Sequence, residues 1–164
     1  MSTDNKALHR LAKIVGGNRV CMMTTVGTDG RLYSRPMYAQ GDIADGVLYF
    51  FTYLNSEKMG EIAHDSHVNL AFTDPDDNQY VSIAGAARLE PDEGKKKELW
   101  STTQRAWFPD GLDTPGLALV RVDCTSAETW DAANQLLTHL WGTAKAAVTG
   151  KPPKTTRQEH VELG

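Results

Sequence analysis

Hydrophobic and polar residues alternate along much of the chain, and this period of two predicts β-strands. The alternation is clear in His67–Asp74, where Val68, Leu70 and Phe72 are separated by more polar positions. Short turns rich in Gly, Asp and Pro separate the runs, as is typical of antiparallel hairpins. The pattern predicts six strands, at Val20–Val26, Leu32–Gln40, Val47–Tyr53, His67–Asp74, Gln79–Leu89 and Gly116–Thr129.

Helical spacing of apolar residues occurs between these strands rather than in regular alternation with them. It predicts helices over Lys6–Val15 and Ser56–His64, and a third from Pro91-Asp92 to about Ala106. Neither a strand–helix–strand repeat nor a GxGxxG motif is present, so a dinucleotide-binding parallel sheet is not expected. The sequence predicts a mainly β protein, an antiparallel barrel with flanking helices.

Length and composition limit the possible functions. A chain of 164 residues suggests one domain, which we place at 1–150, followed by a flexible polar tail at 151–164. The net charge of −4 argues against nucleic-acid binding through the overall field. No apolar run suits a membrane span and no signal peptide opens the chain, so we expect a cytoplasmic protein. Cys21 and Cys124 lie in strand-like runs and are expected to be buried thiols.

Four polar residues between positions 35 and 58 suggest an anion site. Arg35 lies in the middle of a predicted strand, and Thr52 ends an aromatic run. Ser56 and Lys58 begin a predicted helix, where backbone N–H groups and the helix dipole favour anions. If the two strands pair, these residues can hold a phosphate. The alternative for Arg35 is an ion pair with one of the 21 acidic residues.

Pro36 interrupts the same strand, since proline donates no hydrogen bond to a β-ladder. The interruption is expected to leave the backbone of Met37 free to meet a flat ligand. Further along, Trp107 and Phe108 stand beside Pro and Gly. They are expected either to cover a ligand or partner surface or to pack in the core, with neither alternative preferred. His64 and His67 have no third ligand at a suitable spacing, so no metal site is expected.

The order of these motifs resembles a known family. SRPM at 34–37, YFFT at 49–52 and SxK at 56–58 are similar to the FMN-binding split-barrel family of pyridoxamine 5′-phosphate oxidase. AWFP at 106–109 and WGTAKAAVTGK at 141–151 resemble its general-stress-protein branch. The resemblance covers residues 5 to 151, and it implies a six-stranded antiparallel split β-barrel of Greek-key type.

The resemblance also implies a homodimer with FMN, or alternatively FAD or a deazaflavin, at the subunit interface. It assigns the flavin phosphate to one group of residues: Arg35, Thr52, Ser56 and Lys58. It assigns the flavin ring to another group: Pro36, Met37, Gln40, Phe51 and Trp107, the last reaching to the flavin of the second subunit. Glu57 replaces a basic residue that oxidase members carry near the phosphate.

The expected function is therefore a flavin-dependent oxidoreductase of the general stress type, acting on a small substrate or electron donor that the sequence does not identify. No side chain is assigned a catalytic role, because the flavin supplies the redox chemistry. Pyridoxamine 5′-phosphate oxidation itself is not expected, since the tail offers only scattered Lys151, Lys154 and Arg157. The alternatives are a non-catalytic flavin store or sensor and a deazaflavin-dependent reductase.

Overall fold

A computed structural model describes residues 3–131 and 157–163. The strands are β1 Val20–Val26, β2 Leu32–Gln40, β3 Val47–Tyr53, β4 His67–Asp74, β5 Gln79–Glu90, β6 Leu117–Asp131 and β7 Arg157–Glu162. The α-helices are α1 Thr3–Gly17, α2 Glu57–His64 and α3 Glu93–Leu99. Short 3₁₀ turns occur at Ile43–Asp45, Thr102–Ala106 and Gly111–Asp113. Within the described residues, no helix has the length and apolar character needed to cross a membrane.

The first six strands close into an antiparallel barrel. Their order is β3-β2-β1-β4-β5-β6, and a further pairing of β3 with β6 completes the ring. β1, β2 and β3 form a meander, and β4 returns through α2 to pair with β1, which is the order of a Greek key. The predicted mainly β, six-stranded antiparallel barrel is confirmed.

β6 is the longest strand and serves three neighbours. One edge pairs with β5 from Leu119 to Asp131. The other edge pairs first with β3, at Leu117–Asp123, and then with β7, at Ser126–Asp131. Because β6 joins the barrel to β7, the sheet has a seventh strand that the alternation pattern did not predict.

β7 corrects the prediction of a flexible tail for part of its length. Arg157–Glu162 pairs along β6, and Val161 is buried. The segment RQEHVE contains one apolar residue among polar ones, so it shows no run long enough to signal a strand. A backbone ladder stabilises it in place of a hydrophobic face. The rest of the predicted tail, at 151–156 and 164, and the whole motif at 141–151 lie outside the described residues.

The barrel interior is filled by large apolar side chains, and α1 packs across one end of it. The largest fully buried residues that the strands and this helix contribute to this core are Leu11, Val15, Met23, Leu48, Phe50, Leu70, Phe72, Val81 and Ile83. Cys21 and Cys124 are free and buried, as predicted. Burial raises the pKa of each thiol to about 12, so both stay protonated near neutral pH.

The predicted third helix is shorter than expected. α3 ends at Leu99, Trp100 is extended, and a 3₁₀ turn at Thr102–Ala106 replaces the rest. The Trp100 ring meets the Phe51 ring edge-on at 5.3 Å between centroids, which anchors the chain against β3. Ser101 then caps the new turn. The contact between Trp100 and Phe51 therefore ends the helix at Leu99, although the spacing of apolar residues continues to favour a helix beyond it.

Gly85 lies at a bulge in β5. The register between β5 and β6 shifts between Ala84 and Gly85. A Cβ atom at Gly85 would lie 2.7 Å from the carbonyl oxygen of Asp123. This contact is with backbone, so a side chain at this position must displace one of the two strands.

We expect Gly85→Ala to lower the free energy of unfolding by roughly 1–3 kcal/mol, because the added methyl overpacks against β6. Gly60→Ala in α2 is the matched control, since its Cβ would meet nothing within 4 Å. That change should raise stability by up to about 1 kcal/mol through helix propensity. Urea unfolding measures both variants, and equal effects at the two positions would contradict the role of the bulge.

Candidate functional site

β2 and β3 part after a short pairing, and a cavity lies where they separate. Their register consists of Ala39 with Phe50 and Gln40 with Tyr49. Continued pairing would place Tyr38 opposite Phe51, but the strands diverge there. The cavity is about 280 Å³ and is lined by Val20, Pro36, Met37, Tyr38, Phe51, Thr52, Tyr53, Lys58, Gln104, Trp107 and Phe108.

The backbone edge of β2 faces this cleft at alternate residues. The Ala39 N–H donates to the Arg19 carbonyl at 2.7 Å, so the odd-numbered residues of β2 turn their backbone groups toward β1. Pro36 and Tyr38 therefore turn theirs toward the cleft. Proline suits this position because its missing N–H falls where no partner strand is present.

The opposite wall has the same property. The Leu54 N–H donates to the Gly116 carbonyl at 2.8 Å, which turns the even-numbered residues of β3 toward β6. Phe51 and Tyr53 consequently present backbone groups to the cleft. Both walls thus combine aromatic side chains with backbone hydrogen-bonding groups.

The sequence predicted that the Met37 backbone would be free to meet a ligand, and this prediction was wrong because its backbone groups point toward β1. Met37 pairs with Cys21, and its backbone groups belong to the ladder with β1. The Met37 side chain is 9% exposed and contributes to the cavity lining. The residue that offers its backbone to the cleft is Tyr38, one position further along.

A polar cluster lies where Thr52 and Lys58 line the cavity. Lys58 Nζ donates to Thr52 Oγ1 at 3.0 Å, and Thr52 Oγ1 lies 3.3 Å from Ser56 Oγ. The Ser56 side chain caps no N–H group of α2, so an anion can take the place of the missing cap. Burial lowers the pKa of Lys58, and the charge of Arg35 lowers it further, whereas Glu61 and Glu57 oppose the shift.

Arg35 makes the ion pair that the sequence left open as an alternative. Its Nη2 lies 2.6 Å from Glu61 Oε2, and its Nη1 donates to Thr25 Oγ1 at 2.5 Å. Thr25 in turn donates to the same Glu61 oxygen at 2.5 Å. The side chains of Arg35 and Glu61 are 21% and 12% exposed, so the pair is largely shielded from water. Its role toward a phosphate stays a prediction.

The predicted ring-binding residues divide into two groups. Pro36, Met37, Phe51 and Trp107 line the cavity together with the phosphate candidates Thr52 and Lys58. Gln40 does not line it, because it sits where β2 and β3 are still paired. Arg35 and Ser56 are also outside the lining, although Ser56 contacts Thr52 and the charge of Arg35 acts on Lys58.

Of the two alternatives predicted for Trp107 and Phe108, a cover over a ligand surface and packing in the core, Trp107 follows the first and Phe108 the second. Trp107 is 51% exposed, and its ring centroid lies 5.9 Å from that of Tyr38. Its carbonyl accepts a hydrogen bond from the Tyr53 hydroxyl at 3.2 Å. Phe108 is 5% exposed and packs against Tyr53 and Phe51. Trp107 therefore covers the cleft of its own chain, and Phe108 belongs to the packing beneath it.

The sequence prediction missed Gln104. This residue is 2% exposed and lines the cavity from the 3₁₀ turn Thr102–Ala106. It was included in a continuous helix, where a glutamine attracts no attention. The signal that identifies it is the spacing Ser101-x-x-Gln104, which is a capping box at the start of a new turn.

A split barrel with an aromatic cleft between two diverging strands defines the class of this protein. The sequence model of the family described as pyridoxamine 5′-phosphate oxidase like matches residues 6–154. This match covers most of the chain, so the chain belongs to that family, as the motifs predicted.

Individual relatives agree with the family assignment. A Jannaschia sp. CCS1 structure assigned provisionally to general stress protein 26 is 24% identical, with a TM-score of 0.71 over 96% of this chain and 99% of that one. The general stress FMN/FAD binding protein of Xanthomonas citri is 28% identical, with a TM-score of 0.67 over 77% and 89% of the two chains. Protein bli-3 of Neurospora crassa is 23% identical over 96% of this chain and 80% of its own length.

The ion pair between Arg35 and Glu61 generates a stability prediction. Arg35→Met leaves the largely buried Glu61 carboxylate without its ion-pair partner, and we expect the free energy of unfolding to fall by roughly 1–3 kcal/mol. The double variant Arg35→Met, Glu61→Gln should recover part of this loss, because it removes both charges. Arg31→Met, whose side chain is 80% exposed, is the control and should leave the unfolding midpoint unchanged. A double variant no more stable than Arg35→Met would contradict the coupling.

Proposed function

We propose that this chain binds a flavin, with FMN preferred, in the cleft between β2 and β3 and acts as a flavin-dependent oxidoreductase. The observation that carries the proposal is the combination of an aromatic cleft with the Lys58–Thr52–Ser56 cluster beside it. The name of the Xanthomonas citri relative, an FMN/FAD binding protein, supports it. The small substrate or electron donor is not identified by these residues.

The polar cluster fits the phosphate end of the ligand. Lys58 supplies a cation, Thr52 and Ser56 supply hydroxyl donors, and the first turn of α2 supplies uncapped N–H groups. Arg35 adds positive potential near Lys58 while it remains paired with Glu61. Glu57 stands next to Ser56, so the local charge is balanced rather than strongly positive.

The aromatic walls fit the ring. Pro36 and Phe51 belong to opposite walls, and Trp107 covers the cleft from outside. A bound flavin supplies the electron transfer, whereas the chain binds the ring, orients it and excludes water. The backbone groups of Tyr38 and Phe51 are available to its polar edge. We assign no catalytic acid or base. FAD is compatible with the same cleft, because the cleft opens at the surface.

The homodimer belongs to the same proposal. The exposed residues Val20 and Met22 of β1 lie opposite Tyr38 and Pro36 of β2 in the register, so they form one apolar patch beside the cavity. Trp107 extends this patch. A second copy of the chain that covers the patch would close the cleft and bury the flavin ring. Exposed apolar patches of this kind favour association because burying them removes apolar surface from water.

A non-catalytic flavin store or sensor is the second candidate. Its support is that Lys58 and the tyrosines Tyr38 and Tyr53 are the titratable groups in the lining, and none is arranged as an acid–base pair. Reduction of the bound flavin by NADH or NADPH favours the enzyme, and tight binding without reduction favours the store. A deazaflavin-dependent reductase would release a cofactor with a different absorption spectrum.

The first test is a visible titration of the purified protein with FMN and, in parallel, with riboflavin. We expect saturation at one flavin per subunit, with a shifted and quenched spectrum. Lys58→Met should weaken FMN binding by about 1.5–3 kcal/mol, the strength of a charge-assisted hydrogen bond, and leave riboflavin binding unchanged. Lys97→Met on the exposed face of α3 makes the same charge change away from the cavity. Wild-type protein that takes up neither flavin would refute the proposal.

Trp107→Ala tests the cover of the cleft. Loss of an exposed aromatic side chain that contacts both ligand and partner should weaken flavin binding, dimerisation or both by about 1–3 kcal/mol. Sedimentation velocity and fluorescence titration measure these two quantities. Leu89→Ala is the control, because it removes an apolar side chain that is 43% exposed and lies outside the cavity lining, and it should change neither quantity. Unchanged sedimentation and affinity in the Trp107 variant would exclude both roles.

A further inference from the structure

Gln104 carries a buried amide nitrogen with no partner in the described part of the chain. Its Nε2 and that of Gln40 are the buried side-chain polar atoms there that lack a hydrogen bond. Of the two glutamines, Gln104 lines the cavity. Buried donors are almost always satisfied in folded proteins, so an unsatisfied one beside a cavity indicates a ligand.

The other polar atoms of Gln104 are already engaged. Its Oε1 accepts from the Ser101 N–H at 3.0 Å and from the Ser101 hydroxyl at 2.5 Å. Its backbone carbonyl accepts from the N–H groups of Trp107 and Phe108, and its own N–H donates to the Ser101 carbonyl. Only the side-chain NH₂ group remains.

The orientation of the amide is fixed by chemistry. The Ser101 N–H can only donate, so the atom facing it must be the amide oxygen. A flip of the side chain would set two donors against each other. The two Ser101 contacts therefore hold the NH₂ group in one direction.

The surroundings of Gln104 define the ligand chemistry. The residues around the cavity are mostly aromatic or aliphatic, and the Lys58–Thr52 pair belongs to β3 and α2 rather than to the turn that carries Gln104. A ligand that occupies the aromatic part must therefore be flat and must offer an acceptor at its edge. Ring carbonyl oxygens and ring nitrogens of planar heterocycles meet this description.

We propose that Gln104 is a ligand-binding residue whose Nε2 donates to an acceptor at the edge of the ring bound in the cleft, so that Ser101 acts through it as a positioning residue. This inference rests on the proposed function, since the flavin ring carries two carbonyl oxygens. It assigns to the 3₁₀ turn a recognition role separate from that of the phosphate cluster.

The test uses riboflavin, which lacks the phosphate and so reports on the ring alone. Gln104→Glu has the same size and keeps an oxygen for Ser101. Because the Ser101 N–H and hydroxyl donate to that oxygen, they favour the carboxylate, so at pH 8 the substitution replaces the donor with an anionic acceptor. We expect riboflavin affinity to fall at least tenfold. Gln79→Glu in β5, outside the cavity lining, makes the same charge change and should bind normally. Ser101→Ala should cause a smaller loss, because the amide loses one of its two restraints.

A second measurement needs no variant of the binding residue. The side-chain NH₂ signals of wild-type Gln104 should move downfield on addition of riboflavin in a ¹⁵N–¹H correlation spectrum. If wild-type protein binds riboflavin but Gln104→Glu binds it equally well, or if the signals do not move, this inference is overturned and the proposed function stands. If wild-type protein binds no flavin, the proposed function and the contact are both refuted.

Discussion

The parting of β2 and β3 is the constraint on which the candidate site depends. Two residue pairs hold these strands together, and beyond them each strand finds its partner on its other side, β1 for β2 and β6 for β3. The barrel therefore stays closed while a cleft opens in its wall. Pro36 is compatible with this opening and would be costly in a continuous ladder. The segment that follows α3 then packs over the cleft through Trp100, Trp107 and Phe108.

The two cations at the polar end of the cleft differ in role: Arg35 stabilises the fold through its ion pair, and Lys58 is available to a ligand. Glu61 holds Arg35 against Thr25, which links α2 to both β1 and β2. Lys58, one turn earlier on the same helix, contacts Thr52, and no acidic residue in the described part of the chain lies at ion-pair distance from it. The same helix thus supplies the acid that fixes one cation and the cation that remains available. Any anion that approaches Lys58 also meets the field of Arg35, although that guanidinium stays tied to the barrel.

Alternation of apolar residues was enough to locate the six barrel strands, because each has one face in the core and one outside. Pro36 indicated where β2 is interrupted, although the residue that offers its backbone to the cleft is Tyr38 rather than Met37. The partner of Arg35 could not be predicted, since twenty-one acids compete in the sequence and only the docking of α2 selects Glu61. The break at Trp100 and the role of Gln104 were missed for a related reason: helical spacing continued through a segment whose conformation is set by contacts with Phe51 and Ser101. β7 was missed because hydrogen bonding to β6, not a hydrophobic face, defines most of it.

The shared edge of β6 has a consequence for solubility. Strand edges with unpaired backbone groups invite edge-to-edge aggregation. On β6 that edge is occupied almost without interruption: β3 takes the first part, Cys124 donates to Gly46 at the junction, and Leu163 donates to Thr125 where β7 takes over. Among the described strands, the outer edge of the sheet is thereby transferred to β7, whose sequence RQEHVE is rich in charge. A charged outer strand opposes the addition of a further chain, so the last described strand protects the longest one from becoming a template for aggregation.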